Sequence, residues 1–265
     1  MLGPIVLAFA WFGGLAWTAL VLGGAIIATR EALRIVRAAD RDSNLLLGTL
    51  IALAIVVPAG MGPNSTYPHL LPLLGLPYAV LLSFIAQIQR PAEMRSLDDW
   101  SRTLAVSLYV CGMAAFLVGL RELPEGRTWI TALLLLIWTN DSFAYLGGRQ
   151  FGRRPMAAVL SPKKTWEGFA IAAVACFLAA LAAAFLLGPE LLSMPRPRLA
   201  LPLLALIVST AGPLGDLSVS FLKRQTGVKD SGHLIPGHGG VLDRTDSLLF
   251  AAPLVYSLAV MLSAV

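Results

Sequence analysis

Six long stretches of this chain hold no charged residue: 1–29, 43–89, 103–120, 168–189, 199–215 and 247–265. About 20 apolar residues carry a helix across the hydrocarbon of a bilayer. Backbone in that layer must satisfy its own hydrogen bonds, which helices do within one segment. The composition agrees, at 57% hydrophobic and 13% charged, where a soluble domain has about 25% charged residues. The runs predict an all-α polytopic membrane protein and exclude a soluble helical bundle. The leading stretch has no charged n-region or clear cleavage site and is too long for a signal peptide, so it is expected to stay as a span.

Gly and Pro clusters cut the runs into segments. Eight transmembrane helices are expected, near 4–29, 45–59, 70–89, 103–120, 129–147, 168–187, 199–217 and from 247 onward. Spans 1–4 make an N-terminal membrane region, 1–120. Spans 5–8 make a C-terminal catalytic region, 121–265. Gly212, Pro213 and Gly215 suggest a broken or kinked seventh span, and 90–102 and 148–166 read as polar connections.

Loop charge orients this arrangement. With both termini on the non-cytoplasmic side, sixteen of the twenty Lys and Arg fall in cytoplasmic loops, and only Arg121, Arg127, Arg196 and Arg198 lie opposite. Positive charge is retained on the cytoplasmic side. The net charge of +5 therefore reflects bilayer asymmetry, and no nucleic-acid partner is expected. Cys111 and Cys176 each lie inside an apolar run and read as buried free thiols.

The polar residues that remain are concentrated. Asp141 lies inside span 5 and Asp216 at the cytoplasmic end of span 7. A carboxylate at such depth is costly and should face a cavity or a cation. Asp243 and Asp246 are three apart at the start of span 8, so a helix there turns them the same way. Carboxylates without Cys favour a hard cation such as Mg²⁺ over zinc. One acid at a helix start could simply complement the dipole. Pro236-Gly237-His238-Gly239-Gly240 is a bare-backbone turn of the kind that binds anions. His238 could bond a phosphate or merely hold the loop. Ser161-Pro162-Lys163-Lys164-Thr165 precedes span 6, as a phosphate site at a helix N-terminus would. Metal, lysine and arginine at the cytoplasmic face suit phosphoryl or nucleotidyl transfer.

The run Ser220-x-x-Lys223-Arg224-x4-Lys229-Asp230-x-Gly232-x3-Pro236-x-His238-Gly239-Gly240-x-x-Asp243-Arg244-x-Asp246 resembles the signature of the phosphatidate cytidylyltransferases, or CDP-diacylglycerol synthases. Asp141-x3-Tyr145-x-x-Gly148-Arg149 and Ser161-Pro162-Lys163-Lys164-Thr165-x-Glu167-Gly168 resemble further family motifs in the expected order. The likeness covers roughly 130–250; the first 120 residues match in hydrophobic character only.

The resemblance implies that CTP and phosphatidate become CDP-diacylglycerol and pyrophosphate with a divalent metal, at the cytoplasmic face of the cell inner membrane. It implies metal ligation by Asp216, Asp243 and Asp246, with Mg²⁺ the expected ion. A second, monovalent cation such as K⁺ would fit the number of carboxylates. Lys223, Arg244 and Asp246 are the expected catalytic residues. Substrate binding is expected from Asp141, Ser161, Lys163, Lys164, Thr165, Ser220, Arg224, Lys229, Asp230, His238, Gly239 and Gly240. The family also suggests a homodimer. A CTP-dependent lipid or polyprenol kinase and a membrane transporter are the competing readings. The inverted repeat of many transporters is not visible here.

Overall fold

A computed structural model of the chain describes residues 2–37, 44–61, 71–91, 96–188, 191–228, 231–232 and 239–263. The helices are α1 (Leu2–Phe12), α2 (Gly14–Arg37), α3 (Leu45–Gly60), α4 (Leu71–Ile88), α5 (Leu97–Glu122), α6 (Gly126–Phe151), α7 (Trp166–Leu186), α8 (Pro197–Gln225) and α9 (Leu242–Ser263). Between α6 and α7 lie two strands, β1 (Pro155–Ala157) and β2 (Ser161–Thr165). Among the described residues, five helices, α5 to α9, are long and apolar enough to cross a membrane. The chain is a helical membrane protein. Exposed Val174, Phe177, Leu178 and Phe185 on α7 are what a lipid-facing surface requires.

The chain forms two compact units. Unit 1 takes Met1–Trp11, Leu123–Phe221 and Asp246–Val265; unit 2 takes Phe12–Glu122 and Leu222–Thr245. The sequence suggested one division near 120, whereas these units are built from five segments.

In unit 2, α2, α3, α4 and α5 pack pairwise. Trp17, fully buried, donates its indole N–H to the Leu117 carbonyl at 3.1 Å. Gly48 lets α3 approach α2, since a Cβ there would sit 2.6 Å from a Leu33 methyl. The expected first span is interrupted: Gly13 and Gly14 take φ +68° and +55°, a left-handed geometry that glycine adopts without steric cost. A Cβ on Gly13 would also meet the Arg121 guanidinium. The expected polar connection before span 4 is shorter than predicted, because α5 begins at Leu97 and Asp98 pairs with Arg102 one turn on at 2.9 Å.

In unit 1 the most extensive helix pair is α6 with α7. Small residues let membrane helices approach closely. A Cβ on Gly168 would lie 2.7 Å from the Ala144 carbonyl and 3.0 Å from Gly148 Cα, and one on Gly147 would strike Ile171. The loop expected over 148–166 is instead an antiparallel hairpin pairing Pro155 with Thr165 and Ala157 with Ser161. Thr165 ends β2 and caps α7, its hydroxyl oxygen accepting the Gly168 N–H at 3.2 Å. Glu167 then accepts the Arg153 and Arg154 N–H groups at 3.0 and 3.2 Å.

The break expected in span 7 is absent. Helix α8 runs unbroken through Pro202 and Pro213. Its carbonyls near the second proline find side-chain donors: Ser247 Oγ reaches Gly212 O at 3.0 Å and Lys164 Nζ reaches Pro213 O at 3.3 Å. Gly215 serves close packing, since a Cβ there would run into the Asp246 carbonyl.

Candidate active site

Unit 1 gathers carboxylates from three helices around one lysine. Asp141 comes from α6, Asp216 from α8 and Asp246 from α9. Lys164 enters from β2, where side chains alternate between faces. It turns to Asp216 with Nζ 2.6 Å from Oδ2, while Lys163 stays exposed. Ser220, one turn along α8, donates to the other Asp216 oxygen at 3.3 Å. Asp246 is buried, 7% exposed, and its Oδ1 accepts the Ser247 N–H at 2.7 Å. The charges of Asp216, Lys164 and Asp141 all act on it. Of the three acids only Asp246 is buried; Asp141 is exposed and the Asp216 side chain is 40% exposed.

Unit 2 holds a second centre, and there the carboxylate is fully engaged. Lys223, in the last turn of α8, puts Nζ 2.6 Å from Asp243 Oδ1, and both side chains are largely buried. The other oxygen, Oδ2, accepts the Ser231 N–H at 2.9 Å, the Ser231 hydroxyl at 2.8 Å and the Gly240 N–H at 3.4 Å. Gly239, at φ +79°, leaves no room for more: a Cβ would lie 3.2 Å from the same oxygen. Arg224 and Arg244 are exposed.

A residue that the sequence reading passed over completes this centre. Glu31 on α2 is buried, 4% exposed. Its Oε1 accepts the Val241 N–H at 3.1 Å and its Oε2 the Leu242 N–H at 2.9 Å; the Ser231 hydroxyl, 3.2 Å from Oε2, shares its one proton between Glu31 and Asp243. The signal was available: Glu31 stands three residues after Ala28 and four before Ile35, both core positions, on the apolar stripe of its helix.

The family model described as the cytidylyltransferase family matches residues 1–262. The chain belongs to the cytidylyltransferase family. Relatives include phosphatidate cytidylyltransferases. That of Bacillus subtilis (strain 168) is 39% identical over 169 residues, which is 63% of this chain and 61% of that protein. That of Brucella abortus (strain 2308) is 42% identical over 154 residues, 57% of this chain and 55% of that protein. That of Rickettsia felis is 33% identical over 160 residues, 60% of this chain and 70% of that protein. The chain thus spans 61% and 55% of the lengths of the first two.

Against the residues expected of a cytidylyltransferase, the structure joins Lys164, Asp216 and Ser220 by direct contacts in unit 1, with Asp141 and Asp246 in electrostatic range. In unit 2 it joins Lys223, Gly240 and Asp243. Ser161 is half-buried at the start of β2 and Thr165 caps α7. Lys229, Asp230 and His238 lie outside the described residues, as do Arg41 and His69. Among the described residues no three His, Cys, Asp or Glu side chains are grouped closely enough to hold a metal ion. The donor chemistry nevertheless suits one. Asp216 and Asp246 offer hard oxygens, the preference of Mg²⁺, and the charge of Asp216 acts on Asp246.

Proposed function

We propose that this chain is an integral-membrane nucleotidyltransferase converting CTP and phosphatidate into CDP-diacylglycerol and pyrophosphate in phospholipid synthesis. The observation that carries this reading is the family match over 1–262 with relatives named for that activity. Each unit's lysine–carboxylate centre supports it, because an ammonium held in place is suited to meet phosphate oxygens. Phosphatidate is a phosphate monoester with a second pKa near 6, so at neutral pH it is already largely ionised and needs no strong base. One of its phosphate oxygens attacks the α-phosphorus of CTP. The bond from that phosphorus to the bridging oxygen breaks, and pyrophosphate leaves with the electron pair.

Ser161, Lys163, Lys164 and Thr165 bind the triphosphate. Lys223, Arg224, Lys229 and Arg244 neutralise phosphatidate and the departing pyrophosphate. In unit 2 the Gly239–Gly240 turn, with Asp230 and His238, shapes an anion site, and in unit 1 Ser220 and Asp141 take part in substrate binding. Asp216 and Asp246 would hold Mg²⁺; Asp243, the third ligand implied by the family, is engaged with Lys223 and Ser231. Bound Mg²⁺ supplies charge neutralisation on phosphate oxygens, and a second cation such as K⁺ would extend it.

The deciding experiment uses purified protein in detergent with labelled CTP, phosphatidate and Mg²⁺. CMP linked to lipid, with release of pyrophosphate, is expected. Phosphorylated lipid with CDP release would replace this reading with a kinase, and no reaction would overturn it.

The finer membrane arrangement belongs to the same proposal: eight spans, both termini on the non-cytoplasmic side, the site facing the cytoplasm of the inner membrane, and a homodimer. Single cysteines at Ser161 and Ser193, in a background lacking Cys111 and Cys176, should label from opposite sides. Same-side labelling would reject the topology. Cross-linking in native membranes should give a species of twice the chain mass.

A further inference from the structure

We infer that Glu31, a residue of the N-terminal helices, is a positioning residue that holds the Gly240–Leu242 turn and the first turn of α9 for catalysis. Two N–H donors, and the Ser231 hydroxyl whose one proton is shared with Asp243, meet its carboxylate from residues 200 to 211 positions away in sequence. Two of them are the Val241 and Leu242 N–H groups at the start of α9, where the helix dipole favours negative charge. A buried carboxylate is expensive unless it is paired or hydrogen-bonded. Glu31 meets that requirement through the turn itself, so carboxylate and turn fix each other.

Two glycines of the signature run fit around this contact. A Cβ on Gly232 would lie 2.7 Å from Glu31 Oε1. A Cβ on Gly240 would collide with the Ser231 hydroxyl and with Glu31 Oε2. Both positions lack a side chain because the carboxylate occupies that space. Ser231 links the contact to chemistry, since its hydroxyl lies 3.2 Å from Glu31 Oε2 and 2.8 Å from Asp243 Oδ2, and Asp243 in turn holds Lys223. Glu31 therefore acts through Ser231 and the turn on the lysine and backbone donors assigned above to phosphate binding. This role rests on the proposed cytidylyl transfer.

Glu31→Gln is the informative variant. Both carboxylate oxygens accept N–H or O–H donors, so the isosteric amide must turn an NH₂ group toward at least one of them. In the full chain in detergent, Glu31→Gln should speed amide exchange at Val241 and Leu242 at least tenfold. It should raise KM for phosphatidate at least fivefold, with an unfolding midpoint close to that of the parent. Loss of folded protein alone would lower kcat and leave KM unchanged. Glu31→Asp, which keeps the charge on a shorter arm, should fall between the two, and Gly240→Ala should reproduce the KM shift. Unchanged amide exchange, or unchanged KM, would overturn the inference. If the unaltered protein transfers no cytidylyl group, the reaction assignment fails by itself, and the exchange measurement still decides whether Glu31 holds the turn.

Discussion

The two lysine–carboxylate pairs have the same length, 2.6 Å, and different surroundings. In unit 2, Lys223 and Asp243 are 14% and 12% exposed, and the second Asp243 oxygen takes three further donors. In unit 1, Lys164 and Asp216 are 24% and 40% exposed, with Asp246 and Asp141 adding negative charge nearby. The first pair is satisfied within the protein. The second is more exposed. A carboxylate saturated by the protein fixes its lysine in place, and the remaining N–H donors of that ammonium can still meet a phosphate, whereas a more exposed pair can open to meet a cation or a phosphate directly. The length of a salt bridge is a poor guide to its role; its unspent hydrogen-bonding capacity separates the two.

The largest effect should come from the open centre. Asp246→Asn keeps the shape of a buried side chain and removes its charge. Loss of one electrostatic group at a reacting centre costs about 10²–10³-fold in kcat, and a fall of that size is expected in the labelled-CTP assay. Gel filtration in detergent should show the same folded species. Full activity in this variant would erase the distinction between the centres.

Replacing the lysines sharpens the comparison through stability. Lys223→Met strands Asp243 in a buried site, and removing one partner of a buried pair costs about 3–5 kcal/mol. The remaining Ser231 and Gly240 donors should hold the loss near the lower end. Lys164→Met acts on a pair open to solvent, where exposed pairs contribute about 0–1 kcal/mol. Thermal unfolding of the two variants in the same detergent should therefore separate clearly. Equal shifts would mean that both pairs are structural.

Backbone packing offers a third lever. Gly215→Ala pushes a methyl group toward the Asp246 carbonyl, and overpacking of this kind costs about 1–3 kcal/mol. Because the collision is with the backbone carrying Asp246, turnover should fall along with the unfolding midpoint. Reduced stability with unchanged kcat would show that α9 yields without moving its carboxylate.

Much of this was legible in the sequence, and the parts that were not share a cause. Helices α5, α7, α8 and α9 announce themselves through uncharged length, and the acids and lysines through their rarity in an apolar chain. The break at Gly13 was hidden because its reason is the Arg121 side chain, over a hundred residues away. Continuity through Pro202 and Pro213 was hidden as well, since a proline in a helix interior ordinarily kinks or ends it, and α8 runs on. The hairpin at 155–165 hid behind a basic loop, its short strands giving too little alternation to read. Glu31 was masked by the arginines around it, and its partners lie at the far end of the chain. Local patterns report elements; they do not report which distant group fills the gap an element leaves.

Thr165 provides the smallest and most discriminating test. Its hydroxyl oxygen accepts the Gly168 N–H, and loss of such an N-cap costs about 1 kcal/mol. The hydroxyl proton remains free to bond a phosphate, and a net hydrogen bond of about 1 kcal/mol corresponds to roughly fivefold in affinity. Thr165→Ala should thus lose about 1 kcal/mol of stability and raise KM for CTP about fivefold. Thr165→Ser, which keeps the hydroxyl, should restore both. A stability loss with KM unchanged would confine Thr165 to capping α7, and would leave the open centre to bind nucleotide through Lys163, Lys164 and Ser161 alone.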